Sequence, residues 1–266
     1  MAAILLTGAS GYLGSAVAAR LDALDIAWES LPDRLEHIAP GSLPHTRVIH
    51  GAGALRHRPQ DWQRSNVEGM ARLLAGLREP SRIVFASSRS VYAPAAPGVL
   101  LGESSPLAPR DGYGASKLAA ETLLRESRHD GVACRLTTLF GRAPRGDCPS
   151  LPNKAVRSFR NGECVRLVEH DVDVDYLAVS DAARLLVAIL LDENVREPAI
   201  NIAGPRRSLH RLVEHLAANC DKASGSAPRI VRDYPAGTTM NCLDTGLLRQ
   251  RLPGFEFEND DAAGFS

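Results

Sequence analysis

The sequence has no excess charge of either sign: 31 lysines and arginines balance 31 aspartates and glutamates over 266 residues. Nucleic acid and anionic membrane both call for a basic footprint, so neither is an expected partner. No apolar run is long enough to span a bilayer. No basic stretch leads into an apolar core at the start, so no secretory signal is expected. The five cysteines, Cys134, Cys148, Cys164, Cys220 and Cys242, contain no C-x-x-C pair. An odd, dispersed set reads as reduced thiols, neither a zinc site nor a disulfide frame, and points to the cytoplasm. Internal repeats are absent. Lysine is scarce, with Lys117, Lys154 and Lys222 set among many arginines. Where a lysine does stand, its compact charge or flexible stem is the property to look for.

The first stretch organises the rest. Ala3 to Leu6 is a short unbroken apolar run, the pattern of a strand buried on both faces of a parallel sheet. Thr7-Gly8-Ala9-Ser10-Gly11-Tyr12-Leu13-Gly14 follows, and Ser15 to Leu21 reads as a helix with an apolar face. A strand, a glycine turn and a helix N-terminus together present free backbone N–H groups to an anion. Gly8 suits a tight turn, Gly11 the close approach of a pyrophosphate, and Gly14 close packing of helix on strand. The spacing is G-x-x-G-x-x-G, a departure from G-x-G-x-x-G. No G-K-[ST] follows, which excludes a Walker loop. The competing reading is a glycine turn without a ligand.

Ile26 to Leu31 predicts a second strand, closed by Pro32-Asp33-Arg34. An acid about 20 residues past the glycines suits an adenosine ribose, whereas an arginine accommodates a 2′-phosphate. Asp33 and Arg34 offer both, against the alternative of a solvated turn. Leu35 to Ile38 predicts a stub of a third strand. Val48-Ile49-His50-Gly51-Ala52-Gly53 predicts a strand that runs out into small residues, leaving room for a ligand. Asn66 opens a helical pattern through Leu74 and either caps it or ties it to a catalytic loop. Ile83 to Ala86 is a further buried strand, ending in Ser87-Ser88-Arg89-Ser90-Val91-Tyr92, either hydroxyls placed for chemistry or a Ser-rich turn.

Residues 94–109 predict a long mobile flap. Tyr113-Gly114-Ala115-Ser116-Lys117 then heads a helix, with Tyr113 and Lys117 one above the other on one face. Y-x-x-x-K is common by chance. Val132 to Gly141 predicts another strand, and the composition then shifts. A helix is expected over Asn153 to Asn161 and a strand over Val165 to Val168. Glu169 to Asp175 alternates acids with valine, the pattern of a strand with a solvated acidic face rather than a metal site. Ser180-Asp181 is expected to cap the helix Ala182 to Leu191. Ala199 to Gly204 returns a strand, and Ser208 caps a helix from Leu209. The chain is long enough for one large α/β domain carrying a small lobe.

In this order, from Ala3 to Gly204, these motifs resemble the extended short-chain dehydrogenase/reductases, the NAD-dependent epimerase/dehydratase family. The resemblance implies an α/β Rossmann-type doubly wound parallel sheet with a small C-terminal substrate lobe. Residues 1–141, with 174–204 returning to it, would form the dinucleotide-binding domain; 142–173 and 205–266 would form the lobe. It implies Ser88, Tyr113 and Lys117 as catalytic residues. It places NAD(P) on Gly8, Ser10, Gly11, Tyr12, Leu13, Asp33, Arg34, Gly51, Ala52, Gly53, Asn66, Lys117 and Thr137. Ser88, Arg89, Thr138 and Arg142 would meet a small-molecule substrate, with no metal. Tyr113 would exchange a proton with a carbinol or carbonyl oxygen, Lys117 would lower the phenol pKa from about 10, and Ser88 would hold the substrate oxygen. A homodimer through helices is expected by analogy.

Departures narrow the activity. The 4,6-dehydratases carry an Asp-Glu pair where Arg89-Ser90 stands here, which argues against dehydration. Val174-Asp175 lacks the arginine of the family's Arg-Asp pair, which often helps bind a nucleotide or phosphate portion. The expected function is NAD(P)-dependent hydride transfer at a hydroxyl or keto carbon of a sugar, a nucleotide sugar first, with a ketoreductase favoured over an epimerase. A non-catalytic cofactor sensor is the alternative outside enzymes. Arg34 tilts the cofactor toward NADP.

Overall fold

Short apolar runs separated by helical patterns bury both faces of a sheet only if helices cover each side. The computed structural model has this arrangement and describes residues 3–31, 35–54, 56–146, 148–219, 229–234 and 241–257. The first half contains β1 (Ile4–Thr7), α1 (Tyr12–Ala23), β2 (Trp28–Ser30), β3 (Arg47–His50), α2 (Gly69–Gly76), β4 (Arg82–Ser88) and α3 (Gly112–Arg125). Next come β5 (Asp130–Leu136), β6 (Leu139–Phe140), α4 (Leu151–Arg160), β7 (Cys164–Val168), β8 (Asp173–Val174), β9 (Leu177–Ala178) and α5 (Val179–Leu191). The chain continues through β10 (Ala199–Ile202), β11 (Arg207–Ser208), α6 (Leu209–Asn219), β12 (Arg229–Tyr234) and α7 (Gly246–Arg251).

Six strands form one parallel sheet in the order β10-β5-β4-β3-β1-β2. The chain steps from β1 outward to β2, then returns to lay β3 on the other side of β1. The switch point therefore lies between β1 and β3, where ligands settle at the strands' carboxyl ends. One face packs Ile4, Leu6 and Ile49 against Leu21 of α1 and Leu185 of α5. The other packs Leu5 and Phe85 against Leu73 of α2 and Leu124 of α3. Leu6, Leu21, Leu73 and Leu185 are wholly excluded from solvent, each contributing roughly 1.5–3 kcal/mol of transfer free energy. A separate core joins Phe140, Phe159, Leu167, Leu212 and Leu216 across β6, α4, β7 and α6.

Several expectations are corrected. Leu35–His37 is a 3-10 turn, not a third strand. Its apolar residues drop onto α2, where a Cβ on Gly69 would lie 3.0 Å from Leu35 and one on Gly76 2.4 Å from Ile38. The expected strand Val132 to Gly141 divides: Thr137 donates a 2.7 Å hydrogen bond to Asp175 Oδ1, and β6 pairs instead with β9. Of the acidic stretch, Asp171 and Asp173 are exposed, but Asp175 is only 2 % exposed. Ser180 and Asp181 do not cap α5, which begins at Val179 with Ala178 as its N-cap. Asp181 sits in the first turn, where a carboxylate complements the helix dipole, and pairs with Arg184 at 2.7 Å. Residues 94–109 are strapped down. Leu101 bridges Leu243, and Asn241 Nδ2 donates to the carbonyls of Ala96 and Val99 at 2.7 and 3.0 Å. Among the described residues no helix is long and apolar enough to cross a membrane.

Candidate active site

Gly8 has φ +78°, and a Cβ there would lie 2.6 Å from the Ala52 nitrogen. Only glycine takes this left-handed backbone without cost, and only a bare α-carbon lets the β1 loop pack on the loop after β3. A Cβ on Gly14 would lie 1.9 Å from the Gly8 carbonyl oxygen, so α1 packs directly on the loop. Gly11 is the N-cap of α1 and supplies no side-chain cap, which leaves first-turn N–H groups for an anion. The Tyr12 hydroxyl is turned away to donate to the Gly141 carbonyl at 2.9 Å, so Tyr12 offers the site its backbone. Leu13 packs against the sheet core.

Beside the glycine loop lies a cleft of about 650 Å³, within the range of cofactor sites. Thr7, Gly8, Ser10, Ala52 and Gly53 line it toward the sheet; Leu31, Glu36, His57, Arg58 and Arg64 line it further out. Asp33 and Arg34 lie outside the described residues, as does Cys220. The Arg64 Nε donates to Glu36 at 2.6 Å. At the sheet end the Thr7 hydroxyl lies 2.7 Å from His50 Nδ1 and accepts from the Ala52 N–H at 3.2 Å. Burial, with the Lys117 charge nearby, pushes His50 down to about 3, so this imidazole is neutral at physiological pH.

Asn66 lies in a π-helical turn, Gln63–Glu68, ahead of α2, a departure from α geometry frequent at functional sites. It does not cap the helix. Its Oδ1 accepts from the Ala54 N–H and its Nδ2 donates to the Ser116 hydroxyl, both at 2.8 Å. Ser116 in turn donates to the Tyr113 carbonyl at 2.8 Å. Asn66 thus ties the loop after β3 to the first turn of α3.

That turn carries Tyr113 and Lys117. Asp111 caps it by accepting from the Gly114 N–H at 2.8 Å, an arrangement worth about 1 kcal/mol. The Tyr113 phenol faces Ser88 at the end of β4; burial raises its pKa, opposed by the Ser88 hydroxyl and the Arg56 charge. Lys117 is buried, donates to the Ala86 carbonyl at 3.0 Å, and is pushed down to about 8, chiefly by desolvation. A Cβ on Gly53 would lie 3.4 Å from Lys117 Nζ and 2.6 Å from Asn66 Oδ1. The ammonium therefore stands behind Gly53, which lines the cleft. A phenol, a hydroxyl and an ammonium at the carboxyl ends of parallel strands can pass a proton to and from an oxygen held beside the glycine loop.

Other expected contacts are engaged elsewhere. The Thr137 hydroxyl is on Asp175. Arg89 is paired with Asp175 at 2.9 Å and donates to Thr138 Oγ1 at 3.1 Å. Both positions thus brace the end of the sheet. Arg142 is exposed. Sequence reasoning missed Asp175 as a buried anchor, although its place beside a strand of alternating valines hid it among solvated acids. It also missed Arg56, whose guanidinium lies 5.5 Å from the Tyr113 ring centroid, and Trp62, edge-on to the same ring at 6.3 Å. Neither carries a local sequence signal.

The model of the NAD dependent epimerase/dehydratase family matches residues 34–203. No curated protein matches the chain in sequence. Among solved structures, RMD from Pseudomonas aeruginosa complexed with NADPH is similar with a TM-score of 0.79 at 24% identity, covering 98% of this chain and 97% of that one. MoeE5 in complex with UDP-glucose and NAD gives 0.75 at 23% identity, covering 98% and 95%. UDP-glucuronic acid 4-epimerase from Bacillus cereus, in complex with UDP-glucuronic acid and NAD, gives 0.75 at 17% identity, covering 97% and 96%. At these identities the likeness is one of fold.

Proposed function

We propose, from the premise that the chain belongs to the NAD dependent epimerase/dehydratase family, that it transfers a hydride to or from a hydroxyl or keto carbon of a sugar. A nucleotide sugar is the substrate class, and the first reading is a ketoreductase. The observation that carries the proposal is the placement of the Tyr113 phenol beside Ser88 at the end of β4, with Lys117 Nζ behind Gly53 of the glycine cleft. The cleft fits a dinucleotide: the bare α-carbons of Gly8, Gly11 and Gly14 and the uncapped start of α1 suit a pyrophosphate. Ser10, Ala52 and Gly53 line its path, and Lys117 would meet the nicotinamide ribose. Bound there, the nicotinamide supplies or accepts the hydride.

Tyr113 gives a proton to the forming alkoxide, or takes one from the carbinol in the reverse sense. Ser88 donates to the same substrate oxygen and holds it at the phenol. No carboxyl stands at position 89, where Arg89 is paired with Asp175, so water elimination is not assigned. The lobe built on α4, β7 and α6 would close on the sugar. Its small size supports the reductase reading, since it leaves little room for a keto-sugar to turn over. Arg34 in the sequence, and His57 and Arg58 lining the outer cleft, support NADP as the preferred cofactor.

The test is incubation of the purified protein with nucleotide sugars and NADPH. Net cofactor oxidation matched to a new carbinol supports the reductase. Isotopic exchange at the sugar carbon without net cofactor consumption would replace it with epimerisation. Cofactor binding with no turnover on any sugar would favour a sensor.

A further inference from the structure

The loop after β3 brings a cation to the phenol that the sequence pattern does not announce. The Arg56 guanidinium lies 5.5 Å from the Tyr113 ring centroid. Its Nη1 pairs with Asp111 Oδ2 at 2.8 Å, and its Nη2 donates to Ser90 Oγ at 2.7 Å. The Ser90 and Ser88 hydroxyls are 3.2 Å apart, and the Ser90 N–H also reaches Ser88 Oγ at 3.2 Å. Ser88 in turn faces the phenol. The guanidinium thus reaches Tyr113 through space over the ring, and its contacts run on through Ser90 to Ser88.

We infer that Arg56 is a positioning residue that sets how readily the Tyr113 phenol ionises, with Asp111 as the opposing charge that holds it in place. The reading concerns the same site as the proposed hydride transfer and rests on it only for its catalytic consequence. Among the described residues, the groups that act on the phenol come from the following elements. The loop after β3 supplies Arg56 and the turn before α3 supplies Asp111, the two charges that act on it; the end of β4 supplies the Ser88 hydroxyl. The turn ahead of α2 supplies uncharged Trp62. On α3 itself the Lys117 ammonium is held on the Ala86 carbonyl and over the Phe85 ring. Arg56 is therefore the cation by the phenol ring, while Lys117 is held on the Ala86 carbonyl. An ionic neighbour at this range moves a titration by about one unit.

The test reads the phenol directly and needs no substrate. The full chain is labelled with 3-fluorotyrosine, whose phenol ionises at lower pH, and titrated by fluorine NMR. The Tyr113 resonance is the one lost in Tyr113→Phe. Arg56→Gln is expected to move its titration up by about one pH unit, with little change in Arg56→Lys. Asp111→Asn, which keeps a capping side chain, is expected to move it down. A Tyr113 titration in Arg56→Gln that coincides with the wild type overturns the inference, whatever Asp111→Asn does. It would leave the hydride-transfer proposal standing, because that rests on turnover.

Discussion

Lys117 donates a 3.0 Å hydrogen bond to the carbonyl of Ala86 while its ammonium lies 4.8 Å from the centroid of the Phe85 ring. A lysine held by one carbonyl and an aromatic face, fully buried, carries a charge the fold does not fully compensate. This ammonium stands behind Gly53 of the cleft lining, where burial disfavours its charge.

This has a consequence for stability against pH. The folded chain holds Lys117 at about 8, below its ordinary 10.5. Between those values the unfolded chain binds more protons, so stability rises with pH across that window and is flat below it, by up to about 3 kcal/mol. Lys117→Met is expected to remove this slope, to be as stable as the wild type or more so near neutrality, and to bind cofactor at least about tenfold more weakly. Urea unfolding at about pH 7 and about pH 9.5, with a cofactor titration, checks all three.

Tyr113→Phe keeps the ring against Trp62 and removes only the proton carrier. Cofactor affinity is expected to stay within about threefold, while turnover falls about 10²–10⁴-fold. Loss of cofactor binding as well would assign Tyr113 a structural role instead.

Two glycines with similar backbone angles should behave differently. Gly8 and Gly98 have φ of +78° and +81°, but a Cβ on Gly98 meets nothing within 4 Å. Gly98→Ala is expected to cost about 1–2 kcal/mol of backbone strain and leave cofactor binding unchanged. Gly8→Ala adds the collision with Ala52 and is expected to lose more stability and cofactor binding together. Thermal unfolding and a cofactor titration on both variants separate strain from collision.

Asp175 is the anchor that joins three parts of the chain. It accepts from Arg89 Nη1 at 2.9 Å, from Thr137 Oγ1 at 2.7 Å and from the Leu243 N–H at 2.8 Å. Asp175→Asn leaves the largely buried Arg89 without its counter-charge, at an expected cost of about 3–5 kcal/mol. Faster hydrogen exchange at the Leu243 amide should accompany it. Unchanged exchange there would mean that the strap 241–244 is held by Ala96, Val99, Leu101 and Asn201 without Asp175.

What could be read from the sequence was whatever local spacing encodes. Buried strands showed as unbroken apolar runs, Gly8 and Gly14 by their place between strand and helix, and Tyr113 and Lys117 by a one-turn separation. Pairings between distant residues left no trace. Arg89 and Asp175 are 86 positions apart, and Arg56 meets Asp111 across α2 and β4. Leu35 to Ile38 looked like a strand because a short apolar run is equally suited to a turn that packs on α2, and only Gly69 and Gly76 make room for it. Asp175 looked solvated because its neighbours Asp171 and Asp173 are.

The most direct test of the central claim is label transfer from deuterated cofactor. The protein is incubated with NADPH deuterated at the nicotinamide C4 and a panel of keto nucleotide sugars, and the products are analysed by mass spectrometry and NMR. The account predicts deuterium at one sugar carbon in one configuration, with the signal lost in Tyr113→Phe while cofactor still binds. Label transfer undiminished in Tyr113→Phe, or a protein that binds no dinucleotide at all, would contradict it.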